Sequence, residues 1–119
     1  LLTLLGQLVR GGKRVIYVLQ APLPGAHIEK YINFSFTANS LDIDGLSLND
    51  WNLIYKGKAE LLSNLPREVE VIDPSEVFCV NAACSVIRDG EALYFDDDHM
   101  SIFGASLVSK EIDKLIFSE

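Results

Sequence analysis

The sequence contains little positive charge. Its 10 lysines and arginines stand against 17 aspartates and glutamates, giving a formal net charge of −7, and the basic residues do not cluster. Nucleic acids and anionic membrane surfaces are recognised through a basic footprint, so both are excluded as partners. The chain also lacks the run of roughly 18 apolar residues that a membrane span needs. Its apolar start has no basic lead typical of a signal peptide.

Cysteine and methionine are also scarce, with two and one residues, and the first residue is not methionine. Hydrophobic residues make up 49% of the chain, a globular composition that excludes a disordered segment. We therefore expect residues 1–119 to form a single domain with one core. Because the chain begins within an apolar helical pattern, we also expect it to be a piece of a longer protein.

Three helices are predicted from apolar spacing and capping signals. The first ends near Arg10, where two glycines follow. The second covers about 48–64, after the capping residue Ser47, and the third follows the capping residue Ser101 and runs to Ile116.

Two buried strands are predicted at 15–19 and 69–73, since both are short apolar runs that end at prolines. Their separation suits a right-handed parallel crossover. Asp89-Gly90 predicts a hairpin, and 25–44 is expected to be a long loop with one irregular helix at most. Alternating helices and strands predict an α/β fold, in which helices cover both faces of a parallel sheet in a three-layer α/β/α sandwich.

The candidate site is the segment from Asp96 to His99, which follows a predicted strand and precedes the last helix. Open α/β sheets place active sites at such positions. A carboxylate three residues before the histidine can accept its Nδ1–H, fix the tautomer and stabilise the imidazolium. Nε2 is then left to take a proton from a nucleophile. Asp96 would orient the ring, and His99 would act as the base.

Two other interpretations of this segment stay open. Three aspartates and a histidine are also typical of a solvated loop that closes a strand. An oxygen-rich cation site is a further alternative, but its ligand spacing does not fit a calcium loop, and neither does the spacing at Asp42 and Asp44. We therefore predict no metal and no cofactor. His27 is interpreted as an exposed loop residue, and Trp51 and Tyr55 as core residues at helical spacing.

Residues 93–105, Leu-Tyr-Phe-Asp-Asp-Asp-His-Met-Ser-Ile-Phe-Gly-Ala, resemble the last conserved block of the SGNH hydrolase superfamily, which contains GDSL-type esterases and acyltransferases. In that block an Asp-x-x-His pair completes a Ser-His-Asp triad. The resemblance assigns the catalytic roles to Asp96 and His99, and it implies a flavodoxin-like fold that is truncated at its N-terminus.

More of the chain resembles the SGNH domain fused behind acyltransferase-3 membrane domains. The similar features are residues 21–24 after the first strand, the end of the second strand at 71–74, the cysteine pair and the Asp89-Gly90 turn. These family members are bacterial O-acyltransferases that modify lipopolysaccharide or other envelope glycans. The resemblance implies an acyl donor delivered by a fused or associated membrane domain, a glycan acceptor, and a periplasmic location with a membrane-anchored parent.

The chain departs from the family pattern at the nucleophile. It contains no Gly-Asp-Ser block and no Gly-x-Asn-Asp block, and Asn49-Asp50 is interpreted as helix capping. The resemblance thus implies the C-terminal part of an SGNH domain, inactive alone, whose serine lies outside these residues. It also implies a disulfide between Cys79 and Cys84 in an oxidising compartment, although two separate thiols remain an alternative. A carbohydrate esterase or a noncatalytic glycan-binding module are the alternative functions.

Self-association is expected if strands of the parallel sheet are missing. An unpaired strand edge pairs with another chain, or a helix exchanges between copies. Light scattering at high protein concentration is expected to show a mass above that of one chain, and a strictly monomeric mass would contradict this expectation.

Overall fold

The computed structural model describes residues 1–118, which fold as a mixed α/β unit. The helices are α1 (Leu2–Arg10), α2 (Ile28–Ala38), α3 (Leu48–Ile54), α4 (Lys58–Asn64), α5 (Ser75–Phe78) and α6 (Ile102–Ile116). The strands are β1 (Ile16–Val18), β2 (Ile43–Ser47), β3 (Glu70–Ile72), β4 (Cys79–Val80), β5 (Ala83–Arg88) and β6 (Glu91–Ala92). None of the helices in residues 1–118 combines the length and apolar character that crossing a membrane requires.

The parallel pair predicted from the sequence is present. β1 and β3 lie side by side with Ile16 opposite Glu70 and Val18 opposite Ile72. The Leu19 amide continues the pairing by donating to the Ile72 carbonyl over 2.9 Å. The C-terminal ends of both strands therefore lie at the same edge, where the chain continues into the proline segments.

A second sheet is antiparallel and is built around β5. This strand pairs with β2 and β4, and it pairs with β6 through the predicted hairpin at Asp89-Gly90. Both turn residues have positive φ, 51° and 79°, as a two-residue type I′ turn requires. The described residues thus confirm a mixed α/β fold with a small parallel sheet. They do not form the full three-layer sandwich that was expected.

Two expected elements need correction, and the expectation for His27 is confirmed. The segment 25–44 is not a long loop, because it contains the regular helix α2 and the first residues of β2. The expected helix over 48–64 is two helices, since Tyr55 ends α3 with a ψ of 56° and Gly57 begins α4. His27 is exposed and lies outside the helices, as expected, and its Nδ1 also accepts the Glu29 amide over 3.2 Å, which caps α2.

The main core lies between the antiparallel sheet, α2, β3 and α6. Phe78 and Tyr94 pack edge to face in it, with ring centroids 5.8 Å apart and planes at 90°. A smaller cluster joins α1 to the parallel pair. The buried members of the main cluster are Ile28, Ile43, Ile72, Phe78, Val86, Ile87, Leu93, Tyr94 and Val108, and those of the smaller one are Leu5, Val15 and Val69.

A disulfide joins Cys79 to Cys84, as the family resemblance implies. The two residues are directly opposite each other in the β4–β5 pair. Between them, Asn81 and Ala82 both have positive φ, 53° and 66°, a conformation that side-chain-bearing residues rarely adopt. The bond therefore closes a tight turn whose backbone is unfavourable by itself.

Replacing both cysteines by serine is expected to lower the free energy of unfolding by about 2 kcal/mol, the chain-entropy value for so short a loop. Urea unfolding of the oxidised chain and of the Cys79→Ser, Cys84→Ser double variant measures this difference. As a control, dithiothreitol should lower the stability of the wild type by a similar amount and leave the double variant unchanged. Equal stability of all these forms would contradict the prediction.

Candidate active site

The segment that carries Asp96 and His99 is a turn held at both ends. Leu93 and Tyr94, just before it, are buried, and the Leu93 amide donates to the Val86 carbonyl over 2.9 Å. The Phe95 amide then donates to the His99 carbonyl over 2.7 Å. Because Leu93 and Tyr94 are buried and Phe95 is hydrogen-bonded to His99 across the turn, the backbone that carries the polar side chains is fixed.

Ser101 and Gly104 fix the start of α6 relative to this turn. The Ser101 hydroxyl donates to the Ala92 carbonyl over 2.6 Å and accepts the Gly104 amide over 3.1 Å. A Cβ on Gly104 would lie 2.1 Å from the Leu93 carbonyl oxygen, so only glycine permits this close approach. The spacing His-x-Ser-x-x-Gly in the sequence therefore has a structural reason, because Ser101 and Gly104 hold the start of α6 beside His99.

Asp96 uses both carboxylate oxygens within the turn. Oδ1 accepts the amides of Asp98 and His99 over 2.9 and 2.7 Å. Oδ2 lies 2.7 Å from Nδ1 of the His99 ring. Hydrogen bonds from these two backbone amides, with a further one from the ring, hold the pKa of Asp96 well below its usual range. The carboxylate is thus ionised and fixed in the position needed to orient the imidazole.

His99 directs Nδ1 at the carboxylates, which leaves Nε2 on the opposite side of the ring. Its side chain is 74% exposed. The hydrogen bond to Asp96, and then the negative charges of Asp96 and Asp98, raise the pKa of His99 above its ordinary value of 6.5. This arrangement can bind a proton at Nε2 while a carboxylate stabilises the resulting imidazolium, which is the chemistry of a general base.

The sequence did not predict that Asp98 would join the pair. Its Oδ1 lies 2.8 Å from the same Nδ1 of His99, and its side chain is 56% exposed. Desolvation and the hydrogen bond with Asp96 raise the pKa of Asp98. Its place next to His99 in the sequence gave no signal, because the contact depends on how the turn folds back.

Asp96, Asp98 and His99 place one ligand atom each within 4.8 Å of one another, as a divalent-cation site would. The 2.7 Å contact between Asp96 and the ring nitrogen is a hydrogen bond, and a cation on Nδ1 would have to replace it. Asp96 also has both oxygens engaged. We therefore interpret the cluster as a hydrogen-bonded group of two carboxylates and one imidazole.

The other candidate residues lie elsewhere. Trp51 is buried in α3, and Asp50 is held by the Ser47 cap, as expected from the sequence. Ser101 is committed to capping α6. Within residues 1–118 the structure brings His99 together with Asp96 and Asp98, and the His99 ring is hydrogen-bonded to no serine.

The loop after β1 is hydrogen-bonded to Tyr94, just before the turn. The Tyr94 hydroxyl donates to the Pro22 carbonyl, and the Tyr31 hydroxyl donates to the Pro24 carbonyl over 2.6 Å. Burial, with a smaller effect of Tyr31, raises the pKa of Tyr94, so its hydroxyl remains a donor. Beside this loop is a cavity of about 380 Å³ that Asp97 also lines. The position of the cavity was not predictable from local sequence.

A histidine whose Nδ1 contacts carboxylates, on a turn between a strand and a helix of an α/β fold, is an arrangement that can perform acid–base chemistry. The family model described as "SGNH domain (fused to AT3 domains)" matches residues 1–114, and the chain belongs to this family. The family is one of acyltransferase- or hydrolase-type domains with a membrane-associated parent. Comparison with curated proteins and with solved structures gave no match.

Proposed function

We propose that this chain supplies the general base and its orienting acid to the Ser-His-Asp triad of a bacterial cell-envelope O-acyltransferase. The observation that carries the proposal is the 2.7 Å contact between His99 Nδ1 and Asp96 Oδ2, in a His99 side chain that is 74% exposed. The serine would come from a part of the parent outside the 119 residues, since the chain has no Gly-Asp-Ser block.

The reaction has two acyl-transfer steps. In the first, His99 Nε2 takes the proton of the serine hydroxyl, the serine oxygen attacks the acyl carbonyl of the donor, and the leaving group departs with that proton. In the second, Nε2 takes the proton of a sugar hydroxyl, whose oxygen attacks the serine ester. The proton then returns to the serine oxygen as the ester bond breaks. Asp96 keeps the ring in the required tautomer and stabilises the imidazolium in both steps.

The partners in this proposal are an acyl donor delivered by a membrane acyltransferase domain and a glycan acceptor, with acetyl as the group transferred to lipopolysaccharide or another envelope glycan. The disulfide supports a periplasmic location, because such bonds persist in oxidising compartments. An esterase is the second candidate, and the 74% exposure of His99 favours it, since water reaches an open base.

The pH dependence of the parent protein tests the proposal. The neutral imidazole is the active base, and its pKa is raised above 6.5, so kcat/KM for p-nitrophenyl acetate should rise with pH through a midpoint above 6.5. Asp96→Asn removes the main cause of the shift and should move that midpoint to lower pH. Asp98→Asn should move it less.

The raised pKa of His99 also affects stability. The interaction of protonated His99 with Asp96 and Asp98 stabilises the folded chain at pH values below the pKa of His99 in the unfolded chain. This stabilisation is lost as the pH rises through the pKa of His99 in the folded chain. A midpoint that is the same in the wild type and in Asp96→Asn would show that His99 is not the titrating base.

A further inference from the structure

The cavity beside the turn has a lining of two kinds. Aliphatic side chains line it together with two polar side chains from different parts of the chain. Asp97, from the same turn as His99, is one of them, and His27, at the start of α2, is the other. The side chains that line the cavity include Leu23, Ala26, His27, Leu46, Ile54 and Asp97.

The two polar side chains of the lining, His27 and Asp97, offer a hydrogen-bond donor and an acceptor. His27 Nδ1 accepts the Glu29 amide over 3.2 Å, so the proton of the neutral ring lies on Nε2, which can donate. The Asp97 carboxylate can only accept. A ligand with neighbouring hydroxyl groups satisfies both, because each hydroxyl donates and accepts. An acyl chain satisfies neither.

The wall of the cavity is held in place before any ligand binds. Tyr31 and Tyr94 each hold a carbonyl of the loop that contains Leu23. On the other side of the loop, a Cβ on Gly45 would lie 2.4 Å from the Pro24 carbonyl oxygen, so β2 and this loop are in close contact. Because the loop is already ordered, binding of a ligand carries a smaller cost in conformational entropy.

We propose that this cavity binds one uncharged glycosyl unit of the acceptor, with the C–H face of the ring on Leu23, Leu46 and Ile54 and its hydroxyls on Asp97 and His27. This proposal rests on the proposed function and names its acceptor site. A volume of about 380 Å³ lies in the range of small-molecule sites and is larger than an acetyl group needs. Asp96, Asp97 and Asp98 repel anions, so uronic acids and other anionic sugars are disfavoured.

The test uses the full parent protein with p-nitrophenyl acetate as acyl donor. Methyl α-D-glucopyranoside is the neutral acceptor, and methyl α-D-glucuronide is the anionic one. The measured quantity is the ratio of acetylated glycoside to free acetate, by mass spectrometry. Ala26→Phe fills the cavity and should lower this ratio for the neutral acceptor about tenfold or more. Ala59→Phe, which fills a separate surface cavity beside α4, is the matched control and should leave it unchanged.

Charge is tested separately with Asp97→Lys, an exposed position where folding is not at risk. The wild type should prefer the neutral acceptor by about tenfold, and Asp97→Lys should reverse or remove this preference. Equal ratios in Ala26→Phe and Ala59→Phe, together with an unchanged preference in Asp97→Lys, would overturn the proposed acceptor site. So would acetate release that depends on His99 without any acetylated glycoside. Acetate release that is indifferent to His99→Ala would instead overturn the proposed function itself.

Discussion

His99→Ala in the parent protein is expected to lower kcat/KM for p-nitrophenyl acetate by about a thousandfold or more, the usual loss when a triad base is removed. Asp96→Asn should cause a loss of similar order. The amide keeps the size of the side chain, but it cannot balance the charge of the imidazolium, and it can hold the wrong ring tautomer. Steady-state rates of p-nitrophenolate release measure both effects.

Asp98→Asn is the matched control for Asp96→Asn, since both replace a carboxylate within 2.8 Å of the same ring nitrogen. Only Asp96 also accepts two backbone amides, which fix its position. The loss in Asp98→Asn should therefore be much smaller, about tenfold at most by the scale of a single charge contact. Equal losses of kcat/KM in the two variants would show that catalysis depends on negative charge near His99 and not on the fixed position of the Asp96 carboxylate.

The second large effect is expected at Gly104. A Cβ there would lie 2.1 Å from the Leu93 carbonyl oxygen, and its contacts are with backbone atoms, which cannot rotate away. Gly104→Ala should therefore push α6 from the sheet and lower the free energy of unfolding by about 3 kcal/mol, at the upper end of overpacking effects. Urea unfolding of the chain measures this value.

Gly6→Ala provides the opposite case. Its Cβ would meet only the end of the Arg10 side chain, at 3.1 Å, which can move aside. In the helix α1 this substitution should raise the free energy of unfolding by about 0.5–1 kcal/mol through helix propensity. Destabilisation of the same size in both glycine variants would contradict the packing that the structure assigns to Gly104.

The elements that the sequence predicted are those with local signals. α6 begins at its Ser101 cap, the hairpin turns at Asp89-Gly90, and β1 and β3 are continuous apolar runs. These signals lie within a few residues of the helix, turn or strand that they specify, so they can be identified without knowledge of the rest of the fold.

The missed elements depend on distant contacts. β2 contains Gly45 and pairs with β5 through an irregular register, so its sequence lacks regular alternation. The glycine is required by the Pro24 carbonyl, which lies 21 positions earlier in the chain. By contrast, α2 was missed for a local reason, because its cap is a histidine, which is not among the common capping residues.

The candidate site shows the same division. The proximity of Asp96 and His99 was predictable because they are three positions apart in the sequence and one turn brings them together. The second carboxylate contact of Asp98 and the cavity lined by Leu23, Leu46 and Asp97 were not, because they depend on the fold of the turn and on three separate segments. The contact between near neighbours in sequence was therefore predicted, and the contacts between distant segments were not.

Chemical rescue tests the central claim, that His99 is the general base, most directly. The His99 side chain is 74% exposed, so in His99→Ala free imidazole can reach the position of the missing ring from solvent. Added imidazole should restore p-nitrophenyl acetate turnover to the His99→Ala parent protein in a concentration-dependent way, and it should give no comparable gain in Asp96→Asn. A His99→Ala protein that turns over at the wild-type rate, or one that imidazole does not rescue at any concentration, would contradict the assignment of His99 as the base.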